Sequence, residues 1–239
     1  MPTLKGNEGN DSRVVVVSGA SRGIGLELTK LALELRHRVT AGCRQPKQAL
    51  ELRALAEIDP ERLKIHALDV CDSGSVASFA SALTIRVDVL INNAGVYLDG
   101  SQTWASLSPE LLLLTLTTNA VGPVRLTQAL LPKLRESKVA RVVNITSLMG
   151  SIADDSGGGS LAYRMSKTAL NMFTKNLSLD ERELIVLSLH PGWVQTEMGG
   201  ARAPLAPRAS AEGLWRVIQG ATAKESGRFF SYAGKELAW

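Results

Sequence analysis

Short apolar runs alternate with longer segments of helical periodicity over most of the chain. The β-branched run at 14–17 is followed by apolar residues at helical spacing over 26–35. A strand that is apolar at every position is typical of a parallel sheet buried on both faces. We therefore expect an α/β fold, a doubly wound parallel sheet of about seven strands with helices on both faces. The further strands predicted are 38–43, 63–68, 87–91, 140–145, 184–189 and 228–231. The further helices are 47–58, 73–83, 109–135, 161–179 and 210–220, and the segment 109–135 should be interrupted near Gly122-Pro123.

The composition indicates one soluble globular domain. The chain has 239 residues, of which 45% are hydrophobic and 21% charged, with a net charge of +4. We expect a flexible polar tail over 1–12 and a single domain over 13–239. No block of Lys and Arg is interleaved with aromatic residues, which argues against nucleic-acid binding. The longest apolar runs, such as 111–114, are far too short for a membrane span.

The cysteines and histidines indicate a reducing compartment and argue against a metal site. Cys43 and Cys71 are too few for a disulfide framework in a domain of this size. His37, His66 and His190 are scattered without the spacing of metal ligands. We therefore predict a cytoplasmic protein that holds no metal.

A glycine-rich turn joins the first strand to the first helix. Its sequence is Ser18-Gly19-Ala20-Ser21-Arg22-Gly23-Ile24-Gly25. Glycines allow the backbone to approach a pyrophosphate, and the free amides and dipole of a helix N-terminus favour its negative charge. The glycine spacing differs from the common dinucleotide motif, and such turns also serve tight packing. Between a strand and a helix, the turn predicts phosphate binding.

The residues after the second strand indicate which dinucleotide would bind. A carboxylate near this position holds the ribose 2′-hydroxyl of NAD, whereas an arginine accommodates the extra phosphate of NADP. Here Arg44 follows the strand, no carboxylate occurs until Glu51, and Arg22 lies in the glycine-rich turn. Because guanidinium groups bind phosphate through a planar fork, the two arginines predict NADP(H). The alternative is that both are solvated surface residues.

Tyr163 and Lys167 are the candidate acid–base pair. Residues four apart project from the same face of a helix, and both lie in the helical pattern at 161–179. An ammonium beside a phenol would lower the tyrosine pKa from about 10 toward the range of a general acid–base. The hydroxyl of Ser147, after a predicted strand, could bind a substrate oxygen at the same place. Alternatively, Tyr163 is an ordinary surface aromatic residue and Lys167 a solvated charge.

The same turn fits a second motif, the G-x-S-x-G nucleophile elbow of esterases and lipases. In that interpretation Ser21 is the nucleophile, and His190 with an aspartate would complete the triad. Only eighteen residues precede the motif, however, and no His-Gly-Gly oxyanion sequence is among them. We therefore treat the match as a false positive.

Together the motifs resemble those of the short-chain dehydrogenases/reductases over residues 13–239. Within that family, the segments 147–154, 190–199 and 234–239 resemble the Sniffer-type carbonyl reductase and C-factor branch. The resemblance implies a single Rossmann-type domain that transfers a hydride between NADP(H) and a carbonyl or alcohol substrate. It rests on the glycine-rich turn and on Asn92-Asn93-Ala94-Gly95, Asn119, Ser147, Tyr163-x-x-x-Lys167 and Pro191-Gly192.

The resemblance also implies roles for individual residues. Tyr163 would exchange a proton with the substrate oxygen, Lys167 would hold the nicotinamide ribose, and Ser147 would hydrogen-bond the reacting oxygen. Asn119 would order a water that joins Lys167 to solvent. The implied cofactor-binding residues are Gly19, Ser21, Arg22, Gly23, Ile24, Gly25, Arg44, Asp69, Val70, Asn93, Ala94, Gly95, Tyr163, Lys167, Pro191, Gly192, Val194 and Thr196.

The chain departs from the family pattern in three places. Ser18 stands where threonine is commoner, and it keeps a hydroxyl. The interval from Ser147 to Tyr163 is a few residues longer than usual, which leaves open whether Ser147 or Ser151 faces the substrate. The segment after Trp193 is short, which predicts a small substrate lid.

The expected partners are a small-molecule carbonyl or alcohol substrate and further copies of the chain. Trp193 and Met198 would favour a non-polar carbonyl compound, although plain packing accounts for them equally well. The family suggests a homodimer or homotetramer through the helices around Asn119 and Tyr163. The remaining alternative is a signalling or binding protein that keeps the fold and the cofactor without catalysis.

Overall fold

The computed structural model describes residues 12–100 and 102–239, so the predicted tail at 1–12 lies outside the described residues except for Ser12. The strands are β1 (Val14–Ser18), β2 (Arg38–Cys43), β3 (Leu63–Ala67), β4 (Val89–Asn92), β5 (Arg141–Ile145), β6 (Ile185–His190) and β7 (Arg228–Ser231). They form one parallel sheet in the order β3-β2-β1-β4-β5-β6-β7. The predicted doubly wound parallel sheet is confirmed.

Helices cover both faces of this sheet. They are α1 (Gly23–Glu34), α2 (Leu50–Ile58), α3 (Ser73–Ser81), α4 (Pro109–Leu116), α5 (Gly122–Arg135), α6 (Leu161–Asp180) and α7 (Pro207–Gly220). The helix predicted over 109–135 is divided, because a π-helical turn at Thr117–Val121 separates α4 from α5. Pro123 lacks an amide hydrogen and cannot donate to the preceding turn, which favours this wider geometry.

Each face of the sheet has its own apolar core. On one face α1 and α7 pack together, with Leu28 and Trp215 fully buried against the strands. On the other face, Phe79 of α3 and Leu126 and Leu130 of α5 are equally buried. Burial on both faces is what the continuous apolar strands require. No helix in the described ranges is long and apolar enough to cross a bilayer.

The strand order reverses between β1 and β4. The chain builds β2 and β3 on one side of β1, and β4 then begins the other side. Ligands of such sheets bind in the crevice outside the carboxyl ends of the strands at this reversal. The glycine-rich turn, Asn93, Ser147 and Pro191 all follow the carboxyl ends of strands, so they lie along this edge.

Candidate active site

Tyr163 and Lys167 lie one turn apart on the same face of α6. Lys167 Nζ is 5.6 Å from the centroid of the Tyr163 ring. The lysine is buried, and Nζ donates a 2.9 Å hydrogen bond to the main-chain oxygen of Ile145, the last residue of β5. The spacing of the two residues therefore brings their side chains together at the carboxyl edge of the sheet.

Ser147 joins this pair from the end of β5. It is the N-cap of a 3₁₀ turn at Leu148–Gly150, and its hydroxyl lies close enough to the Tyr163 phenol to lower the pKa of that phenol. Ser151, the alternative, is engaged elsewhere, because its Oγ donates to the main-chain oxygen of Trp239 at 3.1 Å. Of the two serines, Ser147 is the one that faces the tyrosine.

Burial controls the ionisation of both titratable groups. It raises the pKa of Tyr163 to about 12, against the opposing effect of the Ser147 hydroxyl, and it lowers the pKa of Lys167 to about 8. The sequence predicted a lowered pKa for Tyr163, and that prediction is wrong. Helical spacing places the amine near the ring, but it cannot reveal how far the surrounding chain shields the half-buried phenol from water, which penalises the phenolate.

Asn119 lies in the π-helical turn and is completely buried. Its Oδ1 accepts from Val96 N at 2.8 Å, and its Nδ2 donates to Val96 O and Ser166 Oγ, both at 2.9 Å. A Cβ on Gly95 would lie 3.1 Å from Asn119 Oδ1 and 3.5 Å from Lys167 Nζ. The glycine therefore keeps a polar gap between the two side chains. The relay water stays a prediction, and this gap is where it would fit.

A chain of buried hydrogen bonds fixes α6 beneath these residues. Asn92 Nδ2 donates to Asn144 Oδ1, and Asn144 Nδ2 donates to Thr174 Oγ1, both at 2.8 Å. Ser188 Oγ also donates to Thr174 Oγ1 at 2.8 Å. The network links β4, β5 and β6 to α6. A fully buried polar network rigidifies its members, so it holds the helix in one position on the sheet.

The glycine-rich turn packs directly against the segment after β4. Gly19 and Gly23 have positive φ angles of +66° and +57°. A Cβ on Gly25 would collide with the main-chain oxygen of Gly19. Asn93 Nδ2 donates to the main-chain oxygens of Ser18, at 3.0 Å, and Gly19, at 3.1 Å. The turn therefore needs glycine both for its backbone angles and for its close packing.

The N-terminus of α1 opens toward the same crevice. Arg22 is its N-cap, yet the arginine side chain makes no capping hydrogen bond, and no acidic residue lies in the first turn. Ser21 lies in the turn itself, and Ile24 lies in the first turn of the helix. The first amides of α1 are left to bind an anion, which is the arrangement that a dinucleotide pyrophosphate requires.

The two arginines predicted to bind a 2′-phosphate are both exposed. Arg44 follows β2 directly. Arg22 Nη1 forms a 2.6 Å ion pair with Glu197 Oε2, in the loop after β6. Glu197 would therefore compete with a phosphate for Arg22, a contact that no local sequence pattern indicated.

The remaining residues predicted to face the adenosine follow β3 and β4. Asp69 is half-buried, and its Oδ1 accepts from Cys71 N at 2.9 Å. Val70 is buried against Gly122, where a Cβ would lie 2.8 Å from Val70 Cγ2. Ala94 N donates to Ser18 Oγ at 3.1 Å. The last contact joins the ends of β1 and β4, and Val70 packs the segment after β3 against the start of α5.

The loop after β6 meets the glycine-rich turn from the opposite side of the crevice. Pro191 is buried, and Gly192 has a positive φ of +86°. Val194 forms a short parallel bridge with Leu205. A Cβ on Gly23 would lie 3.2 Å from Thr196 Cγ2. The residues predicted to contact the nicotinamide are therefore next to those predicted to contact the pyrophosphate.

Sequence reasoning missed Tyr97 and Asp99, and it considered His190 only as a triad candidate. His190 Nδ1 accepts from Leu148 N at 3.1 Å, and burial lowers the pKa of His190 to about 4. Its Nδ1 is thus already engaged, which gives no support to a triad with Ser21. The Tyr97 ring lies edge-on to Tyr163, with centroids 5.0 Å apart, and Asp99 accepts from the first turn of α6. No periodicity marks these residues, because each acts across a long stretch of chain.

Known proteins resemble this chain in sequence and in fold. The family model for short chain dehydrogenase matches residues 13–204. C-signal of Myxococcus xanthus is 49% identical over 158 residues, covering 64% of this chain and 93% of that protein. The crystal structure of NADPH bound carbonyl reductase from chicken fatty liver gives a TM-score of 0.90 at 36% identity, covering 95% of this chain and 99% of that one. Carbonyl reductase Sniffer of D. melanogaster gives 0.90 at 34% identity, covering 95% and 100%.

Proposed function

Because the chain belongs to the short-chain dehydrogenase family, and within it to the Sniffer and C-signal type, we propose that it is an NADP(H)-dependent carbonyl reductase. One observation carries the proposal. The Ser147 hydroxyl faces the Tyr163 phenol, with the Lys167 amine buried beside the ring, at the edge of the sheet where the glycine-rich turn lies. When bound, NADP(H) supplies or accepts the hydride.

The residues of this chain fit that cofactor. The close approach of Gly19 and Gly25 leaves room that a side chain would fill, and the uncapped start of α1 offers amides to a pyrophosphate. Arg44 stands after β2, where an NAD-binding chain would carry a carboxylate. The chicken relative carries NADPH. We infer that Arg44, together with Arg22, holds the 2′-phosphate.

Tyr163 would act as the general acid in reduction. The Ser147 and Tyr163 hydroxyls would both donate hydrogen bonds to the carbonyl oxygen, which holds the substrate and stabilises the developing alkoxide. A phenol with a pKa of about 12 is protonated at neutral pH and can give its proton to that oxygen. Alcohol oxidation needs the phenolate, which burial disfavours, so the protonated phenol is poised for the reduction step. Lys167, with a pKa of about 8, can pass a proton back to the phenol.

Apolar side chains beside the site favour a non-polar carbonyl substrate. Trp193 is 57% exposed and Met198 is 47% exposed, so neither is explained by core packing. Trp193 Nε1 donates to the main-chain oxygen of Gly199 at 2.8 Å, which fixes the indole within the loop after β6. We infer that these two side chains provide an apolar wall for the substrate.

The test is NADPH oxidation, followed by absorbance, across a panel of aldehydes, ketones and quinones. Tyr163→Phe removes the proton donor, so kcat should fall by about 10²–10⁴-fold while the Kd for NADPH stays within about twofold. Tyr232→Phe is the matched control, because it removes a phenol hydroxyl from a ring packed behind Gly192. Unchanged turnover in Tyr163→Phe would refute the acid role.

The match to C-signal supports a second candidate, a signalling or binding protein of the same fold. The intact set of Ser147, Tyr163 and Lys167 favours the reductase. NADPH binding by fluorescence titration, without turnover on any compound of the panel, would instead favour the signalling candidate. The cytoplasmic location and the homodimer or homotetramer stay predictions. Exposed apolar residues on α4 and α6, Leu113, Met172 and Leu179 among them, support the assembly.

A further inference from the structure

The first turn of α6 is capped from a distant loop. Ser160, the N-cap residue, has a left-handed φ of +48°, and its side chain makes no capping hydrogen bond. Asp99 takes over this role: its Oδ2 accepts from Ala162 N at 2.7 Å and from Tyr163 N at 3.4 Å. A carboxylate at a helix N-terminus satisfies free amides and complements the helix dipole. The turn that carries the phenol is therefore held by a residue outside the helix.

The burial of Asp99 costs folding stability, so capping of α6 does not by itself account for a carboxylate at this position. The residue is 1% exposed, and its Oδ1 is buried without a hydrogen-bond partner among the described residues. Removing a carboxylate from water and leaving one oxygen unsatisfied both oppose folding. A side chain at the N-cap position itself would cap α6 without that penalty. What Asp99 adds is a fixed link between the helix and another part of the site.

That other part is the segment after β4, which contains the predicted nucleotide-binding residues 93–95. Asn119 clamps Val96 through both its amide and its carbonyl. One residue further on, the Tyr97 hydroxyl shares a 2.7 Å hydrogen bond with Ser160 Oγ, and the Tyr97 ring lies against Tyr163. The segment is thus fixed to the π-helical turn at one end and to α6 at the other.

We propose that Asp99 is a positioning residue for Tyr163. Through the Ala162 and Tyr163 amides it sets where the phenol stands relative to Ser147 and to the segment that binds the nucleotide. It acts through the helix and does not touch the substrate. The inference rests on the proposed reductase function, because it concerns the orientation of that function's proton donor.

The test compares three substitutions at position 99 by steady-state kinetics and thermal unfolding. Asp99→Ala removes the acceptor and should lower kcat roughly 100-fold, the size of effect that a misplaced catalytic group produces. KM for the carbonyl substrate and Kd for NADPH should stay within about threefold, because the glycine-rich turn and the loop after β6, which supply most of the predicted binding contacts, are untouched. Asp99→Asn keeps an oxygen that can accept from Ala162 N, so it should restore kcat to within roughly fivefold of the unchanged chain.

Asp72→Ala is the matched control. Asp72 caps α3 in the same way, with Oδ1 accepting from Gly74 N at 2.7 Å and Ser75 N at 3.1 Å, and no predicted catalytic residue lies on α3. This variant should lower Tm without changing kcat. A folded Asp99→Ala chain with unchanged kcat would overturn the proposal, and so would an Asp99→Asn chain as impaired as Asp99→Ala.

Asp99→Glu decides the matter if Asp99→Ala does not fold. It keeps the charge and the acceptors but moves them by one methylene, so kcat should fall about tenfold, and the extra methylene in this buried site should lower Tm without preventing folding. An unchanged kcat in this variant contradicts positioning. Loss of activity in Tyr163→Phe but in none of the Asp99 variants would reject only the role of Asp99. Full activity in Tyr163→Phe would reject the proposed function itself.

Discussion

The starts of α1 and α6 face the same edge of the sheet, yet they are built in opposite ways. α1 begins after a glycine-rich turn, its N-cap arginine makes no capping hydrogen bond, and its first amides remain open. α6 begins after a left-handed serine, and a buried carboxylate from another loop accepts from its first turn. The N-terminus of α1 can therefore bind an anion, whereas the N-terminal amides of α6 are already occupied by Asp99.

The difference follows from what each helix contributes. A helix that binds a ligand through its own main chain must keep its N-terminal amides unpaired until the ligand arrives. A helix that contributes side chains gains nothing from open amides, and its first turn has to be held still. The same element of secondary structure is thus left open in one region and fixed in the other.

The largest expected effect is on NADPH affinity, through the glycine-rich turn at the N-terminus of α1. Gly25→Ala would place a methyl group against the main-chain oxygen of Gly19. The clash would push the turn out of the shape that receives a pyrophosphate, and restoring that shape on binding would cost up to about 3 kcal/mol, so NADPH should bind roughly 100-fold more weakly in a fluorescence titration. Gly220→Ala, at the end of α7, is the control, because a Cβ there meets no atom within 4 Å. Equal affinities in the two variants would contradict a tight phosphate-binding turn.

The second-largest effect concerns Lys167 on α6, and it is a dependence of stability on pH. Burial lowers the pKa of Lys167 to about 8, so above that pH the folded chain releases a proton that the unfolded chain keeps. The unfolded state then binds more protons, and stability rises with pH up to the ordinary lysine pKa. Lys167→Met removes the titrating amine and with it this dependence of stability on pH. The free energy of unfolding of the unchanged chain, relative to the variant, should rise by about 2 kcal/mol between about pH 7.5 and about pH 10.

Chemical denaturation at the two pH values measures this difference. Lys175→Met, which removes an exposed lysine from the same helix, controls for the loss of a positive charge. A difference between the unchanged chain and Lys167→Met that does not vary with pH would show that the amine is not desolvated.

The smallest effect is on the preference for NADPH over NADH, and it concerns the arginines near the N-terminus of α1. Replacing both Arg22 and Arg44 with glutamine should weaken NADPH binding about tenfold more than NADH binding, because only NADPH has the 2′-phosphate. Glu197→Gln is the matched substitution at the other residue of the ion pair, and it frees Arg22. It should strengthen NADPH binding by up to about threefold, as expected for an exposed pair. Equal losses for the two cofactors in the double variant would refute the assignment.

Much of the fold could be predicted because its signals are local. Each strand is a short apolar run bounded by polar or glycine residues, and β2 begins and ends at the residues predicted. The glycine-rich turn and the Tyr163 and Lys167 pair are also local patterns, with fixed spacings along one element. Even the break in the helix at 109–135 has a local signal in Pro123, although its π-helical geometry does not.

What could not be predicted depends on contacts between distant parts of the chain. Asp99 and Ala162 meet only after the sheet has formed, and no spacing rule joins them. The ion pair of Arg22 with Glu197 has the same origin. The direction of the Tyr163 pKa shift depends on how much water reaches the phenol, which is a property of the assembled site. Contacts within one helix or strand can therefore be predicted from the sequence, whereas contacts between distant loops cannot.

The anchoring of α6 from the side of β4 has a consequence for how such proteins diversify. The loop at 154–160, just before the helix, contains Gly157, Gly158 and Gly159, whose missing side chains would meet no atom within 4 Å. Arg164, in the first turn of α6, donates to the main-chain oxygens of Gly158 and Gly159, so a change in the loop would remove those two hydrogen bonds. Asp99 would still hold the first turn from the side of β4. The length of this loop can thus vary while the proposed proton donor keeps one of its two anchors.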